Sequence, residues 1–458
     1  MAKKMKGFAS DIKMGNGRTK VSVVMILFLA VLSIAVTTMT ASAGSRVAGH
    51  GWQPEATGVG NGMQPDGGNG SETVGTSNVS GVVMPGPTGA NASGVMMPGS
   101  GSTGTAHSSG KLTMIAAGDN LIHKTIVDKA WHPELGTHDF HFLYTPILDT
   151  IQSRDLAVIN QETIFISDNS LISDYPTFGT PQVMGEALVD TGFDIVLSAT
   201  NHTWDKGVRG VNDTLNYWKT FHPEIKLLGI HDSPAAFNTI DYVEKNGIRL
   251  AMFNYTYGLN GFSVPGSLYY MVNLLGQKEK FLNDVRIAEN EADMTVCFLH
   301  IGEEYHHQPT AFQQAYVYSL IDAGADLVIC AHPHVVEPAG YVTTASGNSG
   351  LVFWSCGNLI SAQSKVPRIL GGLADVTIMK DDNGTRISSW NFIPTVTHFS
   401  GMDVRVFLLK DYNDWLAAKN HANYNDGPLT TARLWNLWTS ITGFGREEDT
   451  SVTFSSMG

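Results

Sequence analysis

Six side chains able to ligate a metal recur at the ends of short apolar runs. Asp119 follows Leu112–Ala117 and Gly118, Glu162 follows Leu156–Asn160, and Asn201 follows Asp194–Ser198. His300 closes Met294–Leu299, and His332 and His334 follow Asp326–Cys330 as a His-Pro-His step. Each has a duller reading when taken singly: a turn at Gly118-Asp119, a cap at Asn201, a satisfied core histidine at His300. Their shared position at run ends is what unites them. Carboxylate, carboxamide and imidazole together suit divalent transition metals such as Mn, Zn or Fe, bound as one or two ions. A carboxylate can bridge two ions, and a pair about 3.5–4 Å apart activates water and clamps an oxyanion.

Such residues are far apart in sequence, so parallel strands must bring them together. In open α/β sheets, sites gather at the C-terminal ends of strands. The runs above alternate with helical patterns at 181–191, 208–221, 278–290 and 310–323, and a further strand is expected at 225–229. Asn246-Gly247 and Asn383-Gly384 sit between strand-like runs, the sequence of tight hairpins. Runs at 351–355, 373–379 and 386–396 continue as meandering strands. The folded part is therefore expected in the α/β class, with mixed sheets covered by helices, over residues 111–400. Residues 401–458, with VRVFLL and a tryptophan-rich helical pattern at 431–440, form an appended C-terminal element.

The first 110 residues have another character. Six basic residues and one acidic residue in positions 1–20 precede the apolar run Val21–Val36, and Ala41-Ser42-Ala43 follows. This is the order of an export signal; an uncleaved membrane anchor fits as well. Residues 1–43 are read as that signal or anchor, which places the body outside the cytoplasm, secreted or held at the membrane. Residues 44–110 hold 18 of the 48 glycines and an imperfect repeat, Ser80–Gly86 and Ser93–Gly99. That composition cannot bury enough apolar area to offset chain entropy and reads as a flexible tether. The chain's net charge is −13, and with its basic start set aside the body is more acidic still. This argues against nucleic acid as a partner. Cys297, Cys330 and Cys356 all lie in apolar runs and are expected as buried free thiols, because an odd number so placed is no disulfide framework.

Six blocks in order resemble the CapA (poly-γ-glutamate capsule synthesis) family of the calcineurin-like metallophosphatase superfamily. They are AAGDNLIH (116–123), INQET (159–163), SATNHTWDKGVRGVNDTL (198–215), FLHIGEEYHHQPTAFQQ (298–314), LIDAGADLVICAHPHVVEP (320–338) and FWSCGNLISAQ (353–363). The resemblance implies a four-layer α/β/β/α metallophosphoesterase-like sandwich with its metal site at the loop end. Asp119 and His334 would hold one ion, Asn201, His300 and His332 the other, and Glu162 would bridge them. His202 would act as general acid or transition-state stabiliser, oriented by Asp205. The sequence departs from the wider pattern after the first aspartate: Leu121 occupies the position where a histidine is usual, and His123 lies two residues further on. Cys330 also stands where glycine is usual.

Two functional readings follow. In the first, the protein is an exported metal-dependent hydrolase acting on an anionic polymer or a phosphoester, in the synthesis, attachment or processing of a polymer such as poly-γ-glutamate. In the second, it is a non-catalytic, membrane-tethered subunit of a capsule synthesis and export complex. A nucleotidase-like scavenger would share the fold. Tyr255, Tyr257, Tyr269 and Tyr270 are read as packing residues rather than base-stacking ones, and Glu303–His307 as shaping the pocket after His300.

Overall fold

The computed structural model describes residues 109–401, 403–422 and 428–445. The signal or anchor expected over 1–43 lies outside the described residues, as does the tether up to residue 108. Among the described residues no helix is long and apolar enough to cross a membrane.

The described residues open with strand β1 (Gly110–Asn120) and helix α1 (Lys124–Ala130). The chain continues through β2 (Leu156–Asn160), α2 (Met184–Thr191), β3 (Ile195–Leu197), α3 (Gly207–Phe221) and β4 (Lys226–Leu228). A hairpin of β5 (Asp241–Lys245) and β6 (Ile248–Thr256) leads to α4 (Lys278–Glu291), β7 (Met294–His300), α5 (Ala311–Ala323) and β8 (Leu327–Ala331). Strands β9 (Ala339–Thr343), β10 (Ser349–Phe353), β11 (Asn358–Ile360), β12 (Leu370–Asp381), β13 (Gly384–Ser400) and β14 (Asp403–Leu408) follow. Helix α6 (Thr431–Thr442) follows.

These strands form two mixed sheets. The first runs β14-β13-β12-β1-β2-β3-β4, with the short β11 paired to the end of β1; the second runs β9-β10-β8-β7-β6-β5. In the first sheet β1 to β4 are mutually parallel, and in the second β6, β7, β8 and β10 are parallel. Strands buried on both faces read as unbroken apolar runs, which is why the sequence shows IVL and LVIC rather than alternation. Alternate residues nonetheless face different layers. Leu112, Met114, Val158, Ile195, Leu250, Val296, Ile329 and Phe353 pack between the sheets. Ile115, Ile159 and Val196 face Ile126, Leu188 and Trp218 of the first helical layer. Phe253, Cys297 and Val328 face Phe281, Val317 and Leu320 of the second. Helix, sheet, sheet and helix thus form the four expected layers, each buried large side chain contributing roughly 1.5–3 kcal/mol of apolar burial.

Local detail follows the residues. Asn246 and Gly247 both adopt positive φ (53° and 76°), as a two-residue hairpin turn of this twist requires. Helix α2 begins at Met184 rather than near 181, because Thr180 and Pro181 pair in parallel with Phe165 and Ile166. The C-terminal stretch adds β14 to the sheet edge, and Leu434, Trp435 and Trp438 of α6 join the inter-sheet core. The three cysteines are buried and free.

Helix α5 starts with a capping box in which the Thr310 hydroxyl accepts from the Gln313 backbone N–H and the Gln313 side chain returns to the Thr310 N–H. The Gln313 amide also donates to the Trp354 carbonyl at 2.7 Å and to Glu337 at 2.9 Å, tying α5 to the segment after β8. Glu337 is fully buried and its second oxygen has no partner. Burial pushes its carboxyl up to about 8, against which the Gln313 hydrogen bond acts. The folded protein therefore keeps a proton that the unfolded chain has lost above its ordinary value of 4.5. This contribution to stability is whole below that value and is lost as pH rises towards about 8, by at most about 1.4 kcal/mol per pH unit. Glu337→Gln should remove this loss. Urea unfolding at pH 5 and pH 8 is expected to show a smaller fall in stability for the variant than for the wild type; equal falls would contradict the assignment.

Candidate metal centre

The parallel strands of both sheets deliver their C-terminal ends to one place. Asp119 stands one residue before the end of β1, Glu162 two residues past β2, and His300 is the last residue of β7. His332 directly follows β8, and Asn201 and His202 lie in the turn after β3. All are buried, as is Asp205.

Gly118 makes the first of these placements possible. A Cβ there would sit 1.9 Å from the Gly357 carbonyl oxygen, the same oxygen that accepts the Asp119 N–H at 2.9 Å. The register of β1 slips at this point, which turns Asp119 inward. The GDN and SCGN blocks are thus two sides of one close backbone contact.

The Asp119 carboxylate accepts from Asn160 Nδ2 at 2.8 Å and from the His332 backbone N–H at 3.3 Å, and meets His334 Nδ1 at 3.1 Å. Glu162 lies in the middle of the imidazoles. Its Oε1 is 3.7 Å from His334 Nε2, 3.7 Å from His300 Nε2 and 4.0 Å from His202 Nε2. His300 Nε2 also lies 2.9 Å from Asn201 Oδ1, while Asn160 reaches its Nδ1 at 3.2 Å. His202 Nδ1 is 2.7 Å from Asp205 Oδ2, which also accepts the Phe178 N–H at 2.6 Å. The Phe178 ring meets His202 edge-on at 4.7 Å.

Two facts mark this cluster as built for a cation. Both oxygens of Glu162 and Nδ1 of His332 are buried without any hydrogen-bond partner. Buried polar groups are normally satisfied, and one that is not calls for an explanation such as an ion. Ligand atoms of Glu162, His332 and His334 also lie within 4.8 Å of one another. His332 and His334 moreover hold positive φ, 104° and 58°, a conformation costly for a bulky residue and concentrated at functional sites.

The protonation states agree with this geometry. Burial, with the neighbouring Asp119 carboxylate, holds Glu162 well above the ordinary carboxylate range, although His334 acts against it. Burial and the adjacent imidazoles of His334 and His202 bring His332 down to about 3, and burial likewise holds His300 well below the usual histidine range. Both keep a free lone pair, as ligation requires. Burial would lower His334 too, but the Glu162 and Asp119 carboxylates outweigh it and push it up to about 9.

The residues singled out in the sequence therefore all come together. Sequence reasoning gives no site role to four neighbours, of which Tyr257, read as a packing residue, is instead 41% exposed and lies at the site. Asn160 links Asp119 to His300. Asn260 reaches Asn201 at 3.1 Å and His202 at 3.3 Å. Asn358 meets His334 Nδ1 at 3.1 Å. The ring of Tyr257 covers that of His332 at 4.6 Å. Tyr255 packs in the core against Phe281, as expected. His123 lies outside the metal-type group: its Nδ1 accepts the Ala362 N–H at 3.2 Å, and its ring meets the Phe178 ring edge-on at 5.3 Å. His306 and His307 also stay out, paired with Glu303 and with the Val336 carbonyl.

Residues 113–363, more than half of the chain, match the model of the bacterial capsule synthesis protein PGA_cap. The chain belongs to this capsule synthesis family. The matched segment runs from β1 through the SCGN block and contains every residue of the cluster. The capsule biosynthesis protein CapA of Bacillus anthracis is 28% identical over 207 residues, 44% of this chain and 48% of that protein. The PGA biosynthesis protein CapA of Bacillus subtilis is 31% identical over 178 residues, 39% and 45% of the two chains. The chain thus spans about half the length of the curated relatives it matches. Among solved structures, a calcineurin-like phosphoesterase of Bacillus subtilis covers 62% of this chain and 90% of its own, at 14% identity and TM-score 0.34. An NAD nucleotidase of Haemophilus influenzae covers 73% and 60%, at 11% identity and TM-score 0.38.

Replacing Glu162 by Gln keeps the volume and removes the charge a cation needs. Metal analysis of protein purified from metal-supplemented cells should find bound transition metal in the wild type. Glu162→Gln should bind it roughly tenfold or more weakly, since even outer-sphere partners contribute on that scale. Equal metal content in the two proteins would contradict the assignment.

Proposed function

We propose that this chain is an exported, metal-dependent hydrolase acting in the synthesis, attachment or processing of an extracellular anionic polymer of the poly-γ-glutamate kind. The observation that carries this reading is the buried, unpartnered Glu162 carboxyl among three imidazoles, with the His202–Asp205 pair at its side. Glu162, His332 and His334 would hold a divalent ion such as Mn, Zn or Fe, and Asp119, Asn201 and His300 complete the donor set for one or two ions. Such an ion supplies a Lewis acid that polarises the scissile group and acidifies water.

The chain's own residues supply the rest. Asp205 accepts the Nδ1 proton of His202 and so directs Nε2 towards Glu162, where a substrate's leaving atom would lie. The edge-on Phe178 ring packs against the imidazole in that orientation. Water adds to the phosphoryl or carbonyl centre and releases a proton to solvent, the bond to the leaving oxygen or nitrogen breaks, and His202 Nε2 delivers a proton to the leaving atom and is reprotonated from solvent, so that one water is consumed overall. General acid catalysis of this kind contributes about 10²–10⁴-fold. Asn201 and Glu162 position the reacting group, and the burial of the cluster limits competing water.

One observation favours the second reading, a non-catalytic polymer-binding subunit of a capsule synthesis complex. Asp119 already has three partners, Leu121 occupies the position two residues on, and His123 is committed to Ala362. A centre limited to one ion would suit binding without turnover. The two readings separate in one assay, with added Mn, on bis-p-nitrophenyl phosphate and on poly-γ-glutamate. The hydrolase should turn over at least one of them, and His202→Ala should lower kcat by about 10²–10⁴ while retaining metal. Absence of metal-dependent turnover on both would leave the accessory role.

A further inference from the structure

Beside the metal centre, on the His334 side, a guanidinium is held in place without a carboxylate. Arg368 lies with its guanidinium carbon 3.3 Å from the centroid of the Tyr305 ring. That ring in turn lies 6.0 Å from the ring of His334. Among the described residues Arg368 forms no ion pair and its side chain no hydrogen bond, so the in-plane N–H donors along the edge of its fork are not taken up within the protein. The Glu304 carboxylate lies near enough to the Tyr305 phenol to help raise it, and forms no ion pair with Arg368.

Both members of the stack are tied to the centre through the backbone. The Tyr305 N–H donates to the Pro333 carbonyl at 2.7 Å, inside the His-Pro-His step, and Tyr305 holds a positive φ of 68° to do so. Asn358 Nδ2 donates to the Arg368 carbonyl at 2.9 Å and to the His334 carbonyl at 3.2 Å, while its oxygen meets His334 Nδ1. Gln363 joins Asn358 to the Tyr305 hydroxyl. The guanidinium is thus fixed relative to the metal-type group rather than carried on a free side chain. Arg368 also lies beyond the segment shared with the family model, which ends at residue 363.

We infer that Arg368, stacked on Tyr305, is an oxyanion subsite that grips a second anionic group of the substrate next to the reacting one. A planar guanidinium fork matches carboxylate and phosphate oxygens in paired hydrogen bonds, and stacking pre-orders it for that task. An anionic polymer offers such a group at each repeat. The inference rests on the adjoining centre being the place where substrate binds, but it does not require turnover.

Calorimetry on the metal-loaded full chain tests it, with a γ-linked glutamate oligomer and inorganic phosphate as separate probes. The wild type should bind at least one, and the probe that binds tells carboxylate from phosphate. Arg368→Ala should weaken that binding at least tenfold and Arg368→Lys by an intermediate amount, since lysine keeps the charge but not the stacked fork. Both variants should keep wild-type metal content and melting temperature. Equal binding by Arg368→Ala, or no binding of either probe by the wild type, would overturn the inference. Arg368-dependent binding without hydrolysis would instead count against the hydrolase alone.

Discussion

A carboxyl group buried with neither oxygen hydrogen-bonded is among the costlier things a protein can contain, worth several kcal/mol unless a charge or a proton compensates it. Glu162 is such a group, and most of the surrounding architecture serves to place it. Two sheets point the ends of their parallel strands at it. His300 and His334 approach its Oε1 to 3.7 Å, and His202 to 4.0 Å. The neutral imidazoles of His300 and His332 and the unsatisfied carboxyl form a donor set that a divalent cation would complete. Burial holds the Glu162 carboxyl well above its ordinary range, while the Glu162 and Asp119 carboxylates raise His334 against the effect of its burial.

The same constraint explains the strained backbone. The His-Pro-His step presents its two imidazoles to the cluster with both histidines outside the ordinary β and α regions. The strain is held by neighbours: Asp119 accepts the His332 N–H, Tyr305 takes up the Pro333 carbonyl, and Asn358 clamps His334. Gly302 contributes by its lack of a side chain, because a Cβ there would lie 2.7 Å from the Pro333 ring. A preorganised site of this kind is assembled during folding, with its cost spread over the sandwich that supports it.

Much of this was legible in the sequence, for a definite reason. Parallel strands buried on both faces are written as apolar runs, and a ligand at the end of a run is therefore visible as a polar break. Asp119, Glu162, Asn201, His300, His332 and His334 all stand at such breaks, and the order of the runs implies mixed sheets covered by helices, whereas the four layers are what the resemblance to the CapA family implies. What stayed hidden depends on contacts across the chain. Asn160 was counted as the last residue of a strand, and nothing local shows that its amide spans Asp119 and His300. Asn260 is separated from His202 by 58 positions and has no motif of its own. Strands β9 and β11 are short and interrupted by glycine or polar residues, so periodicity could not show them. The start of α2 was misplaced because the pairing of Pro181 with Ile166 is a tertiary event.

The central claim is that Glu162, His332 and His334 form a cation site made of oxygen and nitrogen alone, although buried Cys330 and Cys356 lie in the adjoining strand and loop. Burial holds both thiols well above their ordinary range, which disfavours thiolate ligation. X-ray absorption at the metal edge of the metal-replete protein tests the claim most directly. The account predicts a first shell of oxygen and nitrogen with the outer-shell scattering of imidazole. Sulfur in the first shell, or protein that takes up no metal, would contradict it.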